Sequence, residues 1–409
     1  MSDQPNPVEP NEPSVWDYFV KKLRFWESDS TRQETKSEAP LPVESGHFPW
    51  LSLAALILAL LAQLTLEPSP GRTPWPGIVL YAGVAGCLAA AVIRKEWRLP
   101  SQKPDSESSL NTTFRLEFLL IGFALAIFAF LLFGSGLFGP LNLLVWSLSV
   151  VFVFLAFWEK DSKKSLDLRG RWQRFMEKGM NIRITRWTLI VLAVIAVILF
   201  FNFHRLESVP PEMVSDQAEK LLDINDVLNG YTPVYFPRNT GREVLHFYAT
   251  AAYIKLFNLD VSFLSLKTVA VFANLLTLFF IFMLGKEIGN KWVGLSAALF
   301  AGIAYWPLLF TRLALRIPYY PLFVAPVMYF MLRGLRRQNI NDILWTGFFL
   351  GLGLHGYTPF RIVPILVVLG FLIYGLHKAN KTRWLTSLFA LTLVTFISVI
   401  IFVPLLRYW

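Results

Sequence analysis

Charge is scarce in this chain: 16% of its 409 residues are Asp, Glu, Lys or Arg, where a soluble globular domain carries about a quarter. Cysteine is scarcer still. The single one, Cys87, sits inside an apolar run, which excludes a disulfide framework and a thiolate metal cluster. The first 47 residues are polar and lack both an apolar core and a small-residue cleavage site, so they do not form a signal peptide. No internal repeat is visible, and no glycine-rich phosphate loop follows a strand. Oil takes the place of charge, with 55% hydrophobic residues, 36 Phe and 14 Trp. Apolar runs of about 18 or more residues, the length that crosses a hydrocarbon core, recur along the chain. The expected fold is an all-α polytopic membrane protein.

Eleven spans are predicted, at about 48–66, 75–93, 116–134, 140–158, 187–203, 266–285, 292–310, 319–333, 341–356, 361–376 and 385–405. In such a protein the net charge of +10 is a question of loops, and no nucleic-acid partner is expected. With the N-terminus in the cytoplasm, the inside connections are basic or short. The longest, 159–186, holds nine Lys/Arg against four acids. The outside connections are "EPSPGRTP", the uncharged "GSGLFGP" and an acid-rich loop at 204–265. Only Arg312 and Arg316 run against this trend.

Four parts follow. Residues 1–47 read as a disordered cytoplasmic tail, with "VWDYFVKKLRFW" an amphipathic piece suited to a membrane surface. Residues 48–158 read as a four-helix accessory bundle of no evident function, and 159–186 as a basic cytoplasmic linker facing anionic headgroups. From 187 the character changes to one span, the long outside loop, and six spans with polar residues at their outer ends.

Candidate chemistry lies at those outer ends. In "SDQAEKLLDINDVL" the acids Asp216, Glu219, Asp223 and Asp226 fall on one helical face. Asp216 and Glu219 also have the spacing of a capping box with Asp216 as N-cap, so spacing alone describes a capped, solvated acidic helix. "GYTPVYFPRNTGREVLHFY" mixes turn signals with aromatics, Arg238, Arg242 and Glu243. An Arg–Glu pair there is more often structural than catalytic. Arg312 and Arg316, one turn apart at the outer boundary, call for an anionic partner, either the acidic loop or a lipid phosphate. "GLHGYTPFRIVP" adds His355, Tyr357 and Arg361. For His355 the plain reading is a histidine bonded to neighbouring backbone, and for Arg361 it is a side chain snorkelling to headgroups.

This order of motifs resembles the GT-C superfamily of membrane glycosyltransferases, specifically the dolichyl-phosphate-mannose protein mannosyltransferase-like family (glycosyltransferase family 39 type). The resemblance runs over 187–409 through "SDQAEKLLDINDVLNG", "NTGREVLHFYATAAYIKLF", "GKEIGNKWVGLSAALFAGIAYWPLLFTRLALR" and "GLGLHGYTPFRIVP". It implies a GT-C-like core with a long first extracytoplasmic loop carrying amphipathic helices, here expected to be either a fragment or a form that lacks late spans and a C-terminal domain. It also implies transfer of a sugar from a polyprenyl-phosphate donor to a lipid, protein or glycan acceptor, with inversion. The family's Asp-Glu pair falls on Asp216 and Gln217, so Asp216 is the expected catalytic base, with Glu219 the candidate to replace the missing second acid. Glu219, Arg242, Glu243, Arg312, Arg316, His355, Tyr357 and Arg361 are the expected substrate-binding residues, Arg312 and Arg361 foremost for the phosphate. Some of the wider superfamily hold a divalent metal through outside carboxylates and His, for which the acidic stripe with His246 or His355 would serve. This branch is generally metal-independent, and neither metal nor cofactor is expected. The expected location is the cell membrane, with the site on the extracytoplasmic face.

Two other classes fit the composition. One is a transporter or flippase of a lipid-linked sugar, which places ionisable groups near the bilayer midplane and often shows repeats. The other is a non-catalytic membrane scaffold.

Overall fold

The computed structural model describes residues 50–66, 73–94, 96, 114–159, 185–238, 241–376 and 381–409. The tail 1–47 and nearly all of the linker 159–186 lie outside them. The described residues are helical, with two isolated β-bridges and no strand. Two compact units divide after Glu96.

The first unit contains α1 (Trp50–Leu66) and α2 (Trp75–Ile93). Glu96 closes this hairpin by accepting the amides of Leu51 and Ser52, each at 3.1 Å. A carboxylate there complements the positive end of α1.

The second unit begins with α3 (Leu116–Leu132) and α4 (Pro140–Phe157). Small residues on α3, Gly122, Ala126 and Ala129, lie buried, which lets the two backbones approach closely. Next come α5 (Arg186–Phe203), the loop helices α6 (Ser215–Leu228) and α7 (Leu245–Phe257), and the long α8 (Phe263–Ile288). Then follow α9 (Lys291–Ile303), α10 (Tyr305–Arg312), α11 (Tyr319–Arg337), α12 (Ile340–Gly353), α13 (Val363–Leu376) and α14 (Lys381–Tyr408). The largest core cluster joins α11, α12, α13 and α14 to α3 and α4. α12 meets α14 where Gly347 and Gly351 face it, and a Cβ at Gly347 would stand 2.9 Å from the Val394 carbonyl oxygen. Within the spans, Asn274 donates to Asn202 Oδ1 at 2.9 Å, and Asn202 Nδ2 donates to the carbonyl of Gly302 at 3.3 Å, tying α5, α8 and α9.

Among the described residues six helices are long and apolar enough to cross a membrane, and α9 with α10, bent by 51°, forms a seventh candidate. Each of the eleven predicted stretches contains a helix, but α1 and α2 are shorter apolar helices. α12 has 14 residues, and α11 ends in arginines. Leu189, Leu192, Ile195 and Phe200 on α5 are exposed, a surface suited to lipid and not to water. The chain is an integral membrane protein whose described residues form helices and no strand.

Candidate active site

Pro210 and Pro211 prevent α5 from continuing, and the chain restarts as α6 in the loop that follows. The predicted cap is corrected here. α6 begins at Ser215 with Val214 as N-cap, and Asp216 already lies in the first turn. Gln217 sets this start. Its Oε1 accepts the Val214 amide at 2.9 Å while its Nε2 donates to the Leu313 carbonyl at 2.9 Å. Position 217 is thus filled by an amide that docks α6 on the turn between α10 and α11. A carboxylate there could accept the first bond but, ionised, could not donate the second.

The acids share a face, as their spacing requires, and that face is occupied by cations. Arg242 is wholly buried. Its Nη2 donates to Asp216 Oδ1 at 2.9 Å and to Glu219 Oε2 at 2.7 Å, and its Nη1 stands 3.5 Å from Asp223 Oδ2. Lys220, also buried, lies 2.6 Å from Asp216 Oδ2 and donates to the Ala314 carbonyl at 3.3 Å. Arg238 bridges Asp223 and Asp226 at 2.6 and 2.7 Å. Gly241, at φ 97°, makes the turn that delivers Arg242, and a Cβ there would overlap Tyr235. Of the three carboxylates that meet Arg242, Asp223 is buried while Asp216 at 35% and Glu219 at 40% stay accessible, as does Asp226 at 34% beside Arg238.

Partial burial pushes the Asp216 carboxyl up. The hydrogen bond and charge of Lys220, with the charges of Arg242 and Arg316, overcome this and hold it below the ordinary carboxylate value. Burial acts the other way on Asp223, which is raised despite Arg238. Burial also lowers Lys220, against the pull of Asp216.

A second cluster adjoins the first. Glu243, buried, accepts from Arg316 Nη1 at 2.7 Å and from the Thr358 hydroxyl at 2.6 Å. The guanidinium of Arg316 lies over the Tyr357 ring, 5.7 Å from its centre. Glu243 therefore ties the loop before α7 to the start of α11 and to the turn Thr358–Ile362 that carries Arg361.

The three predicted arginines have separate surroundings. Arg316 belongs to the Asp216 and Glu243 group. Arg312 Nη2 donates to the carbonyls of Phe201 and His204, at 2.8 and 2.7 Å, at the end of α5. Arg361 is exposed and lies over the Trp409 ring at 5.6 Å. Among the described residues, neither Arg312 nor Arg361 has a carboxylate within ion-pair distance. His355 is buried beside Trp146 and Phe402, with Nε2 3.1 Å from the Ile401 carbonyl oxygen. His246 is buried next to Tyr319. Burial, with the charge of Lys220, lowers its pKa to about 3, so it is neutral. Among the described residues no group of three His, Cys, Asp or Glu side chains is arranged to hold a metal ion.

Lys220 and Thr358 were missed in the sequence. Lys220 left a signal, since it stands four residues after Asp216 on the same face. Thr358 left none.

Residues 242–409 match the model of the dolichyl-phosphate-mannose-protein mannosyltransferase family. No curated protein and no solved structure matches the chain.

Proposed function

We propose that the chain, whose residues 242–409 match the dolichyl-phosphate-mannose-protein mannosyltransferase model, moves a sugar from a polyprenyl-phosphate donor to an acceptor hydroxyl, with Asp216 as base. The observation that carries this is the state of Asp216. Its carboxyl is held below the ordinary carboxylate value by the cations around it, is fixed at both oxygens and is still about a third exposed.

In this reaction the acceptor oxygen attacks the anomeric carbon as the bond from that carbon to the phosphate oxygen breaks. The hydroxyl proton passes to Asp216, and the prenyl phosphate leaves with the bonding electrons on the opposite face. A low pKa suits a base that works late, because the attacking hydroxyl becomes acidic only as its bond to carbon forms. The leaving phosphate gains charge, and guanidinium is its natural partner. Arg316 is neutralised by Glu243, whereas Arg312 donates to carbonyls and Arg361 stacks on a ring. These two suit the phosphate best. Tyr357, beside Arg316, and Glu219 are suited to orienting the acceptor. No step requires a metal. The reading places the site on the extracytoplasmic side of the cell membrane, because the basic connections 94–98 and 159–186 belong by their charge to the cytoplasm.

Transport fits less well. The ionisable residues of the spanning helices, such as Lys267, Arg333 and Asp342, stand near helix ends, not at the midplane where a transported ion or sugar would bind.

The test uses the full chain in lipid nanodiscs with a panel of polyprenyl-phosphate sugars and hydroxyl acceptors. Transfer is expected from at least one donor, with inversion, and Asp216→Asn should reduce it about 10²–10⁴-fold. Full activity in Asp216→Asn would remove Asp216 from the role of base.

A further inference from the structure

The α3–α4 hairpin precedes the matched residues, and its connection 133–139 carries no ionisable side chain. That connection is nevertheless bonded into the site. The Phe138 amide donates to the Thr232 carbonyl at 2.7 Å, and the Val234 amide to the Gly136 carbonyl at 2.8 Å. The Thr232 hydroxyl donates to the Phe138 carbonyl at 2.6 Å. Phe138 packs edge-on to Tyr248, whose hydroxyl donates to the Pro233 carbonyl at 2.9 Å. The hairpin connection itself is firm, since Asn142 accepts the Gly139 amide at 2.7 Å and donates to the Leu137 carbonyl at 2.8 Å.

The path continues without a break. Phe236 and Arg242 exchange both backbone hydrogen bonds, at 3.0 and 2.8 Å. A short stretch of backbone therefore joins the hairpin's last bond, at Val234, to a bridge that fixes the Cα of Arg242. From that Cα the guanidinium reaches Asp216 and Glu219. At its other end the hairpin is held too, by Glu159 exchanging two hydrogen bonds with Asn341 on α12.

We infer that the α3–α4 hairpin is a positioning element of the active site, holding residues 232–236 so that Arg242 stands in register with Asp216 and Glu219. Phe138 and Thr232 are the positioning residues. Lys220 faces Asp216 from its own helix, and Arg242, Arg316 and His246 bear on it from the packed elements. Of these, only Arg242 is joined to the hairpin by this path. The effect on transfer rests on the reading of Asp216 as base, whereas the effect on Arg242 does not.

Thr232→Val removes the hydroxyl bond, and Thr232→Ser restores it. Hydrogen–deuterium exchange is followed on the full chain in nanodiscs. In Thr232→Val the amides of Val234, Phe236 and Arg242 should exchange about tenfold faster, the scale of one lost hydrogen bond. Peptides from α8 should not change, and Thr232→Ser should match the natural chain. With a donor that turns over, the acid limb of the pH–rate profile should move to higher pH in Thr232→Val and return in Thr232→Ser, because a looser Arg242 depresses Asp216 less. Unchanged exchange, equal acceleration in α8, failure of serine to rescue, or an unmoved acid limb would each overturn the inference. If exchange responds as expected but the natural chain transfers no sugar, the positioning of Arg242 stands and the transferase reading falls.

Discussion

Restoring an acid at position 217 should weaken the protein, and the loss should depend on pH. Gln217 is buried and makes one bond as acceptor and one as donor. In Gln217→Glu the carboxylate keeps the Val214 amide but faces the Leu313 carbonyl with no proton to give. The lost bond costs about 1 kcal/mol, and stranding a buried oxygen against a carbonyl costs about 1–3 kcal/mol more. The first turn of α6 returns about 0.3–1 kcal/mol through its positive end. The net loss is about 2 kcal/mol at neutral pH. Once protonated, the introduced carboxyl could donate to Leu313, so folding raises the pKa of the new acid above its unfolded value of about 4.3. The sign follows. For a raised acid the stability is whole below the unfolded pKa and lost as pH rises through the folded one. Thermal inactivation of the full chain at fixed scan rate should therefore show a lower midpoint for Gln217→Glu at about pH 7.5 and near parity at about pH 4. Equal midpoints at about pH 7.5, or the same deficit at both, would refute the role given to the amide.

Three further outcomes are expected. Arg242→Met leaves the buried Asp223 facing a methyl group and should cost about 3 kcal/mol, at the low end for a broken buried pair because Arg238 remains and Asp216 and Glu219 are partly solvated. Adding Asp223→Asn should recover part of the lost thermal midpoint, and no recovery would place the cost elsewhere. Lys220→Met removes a cation that depresses Asp216. The stability a depressed acid contributes is present above its unfolded pKa and lost as pH falls through its folded one, so the midpoint of the variant should fall less than that of the natural chain between about pH 5 and about pH 3. Tyr248→Phe deletes the bond to Pro233 and should cost about 1 kcal/mol, measured as faster exchange across 232–236.

The sequence made the helices legible because apolar runs bounded by Pro, Gly and charge are unambiguous. It also made the acid stripe legible, since spacing on one helix fixes a face. What meets that face was not legible. Arg242 and Arg238 arrive from a turn whose path depends on Gly241, Tyr235 and the α3–α4 connection, none of them local to α6. Arg312 and Arg316 show the same limit from the other side. Four residues apart, they would share one face of a continuous helix, but α10 ends at Arg312 and Ala314 takes a left-handed φ of 50°. The two guanidinium groups are thereby sent to different partners, one to the end of α5 and one to Glu243. Gln217 shows what spacing on one helix does not reveal, because its amide serves the docking of α6 on the turn after α10.

The asparagine pair inside the membrane also fixes a height. Asn202 lies next to the last residue of α5, and its bonds to Asn274 and Gly302 oppose sliding of α5 along its axis. The carbonyls of Phe201 and His204, and Arg312 on them, are therefore held at one depth relative to α8 and α9. When the bilayer thins or thickens, the bundle must answer by tilting as a body. The Arg312 guanidinium then keeps its level against its own protein while the lipid surface moves past it.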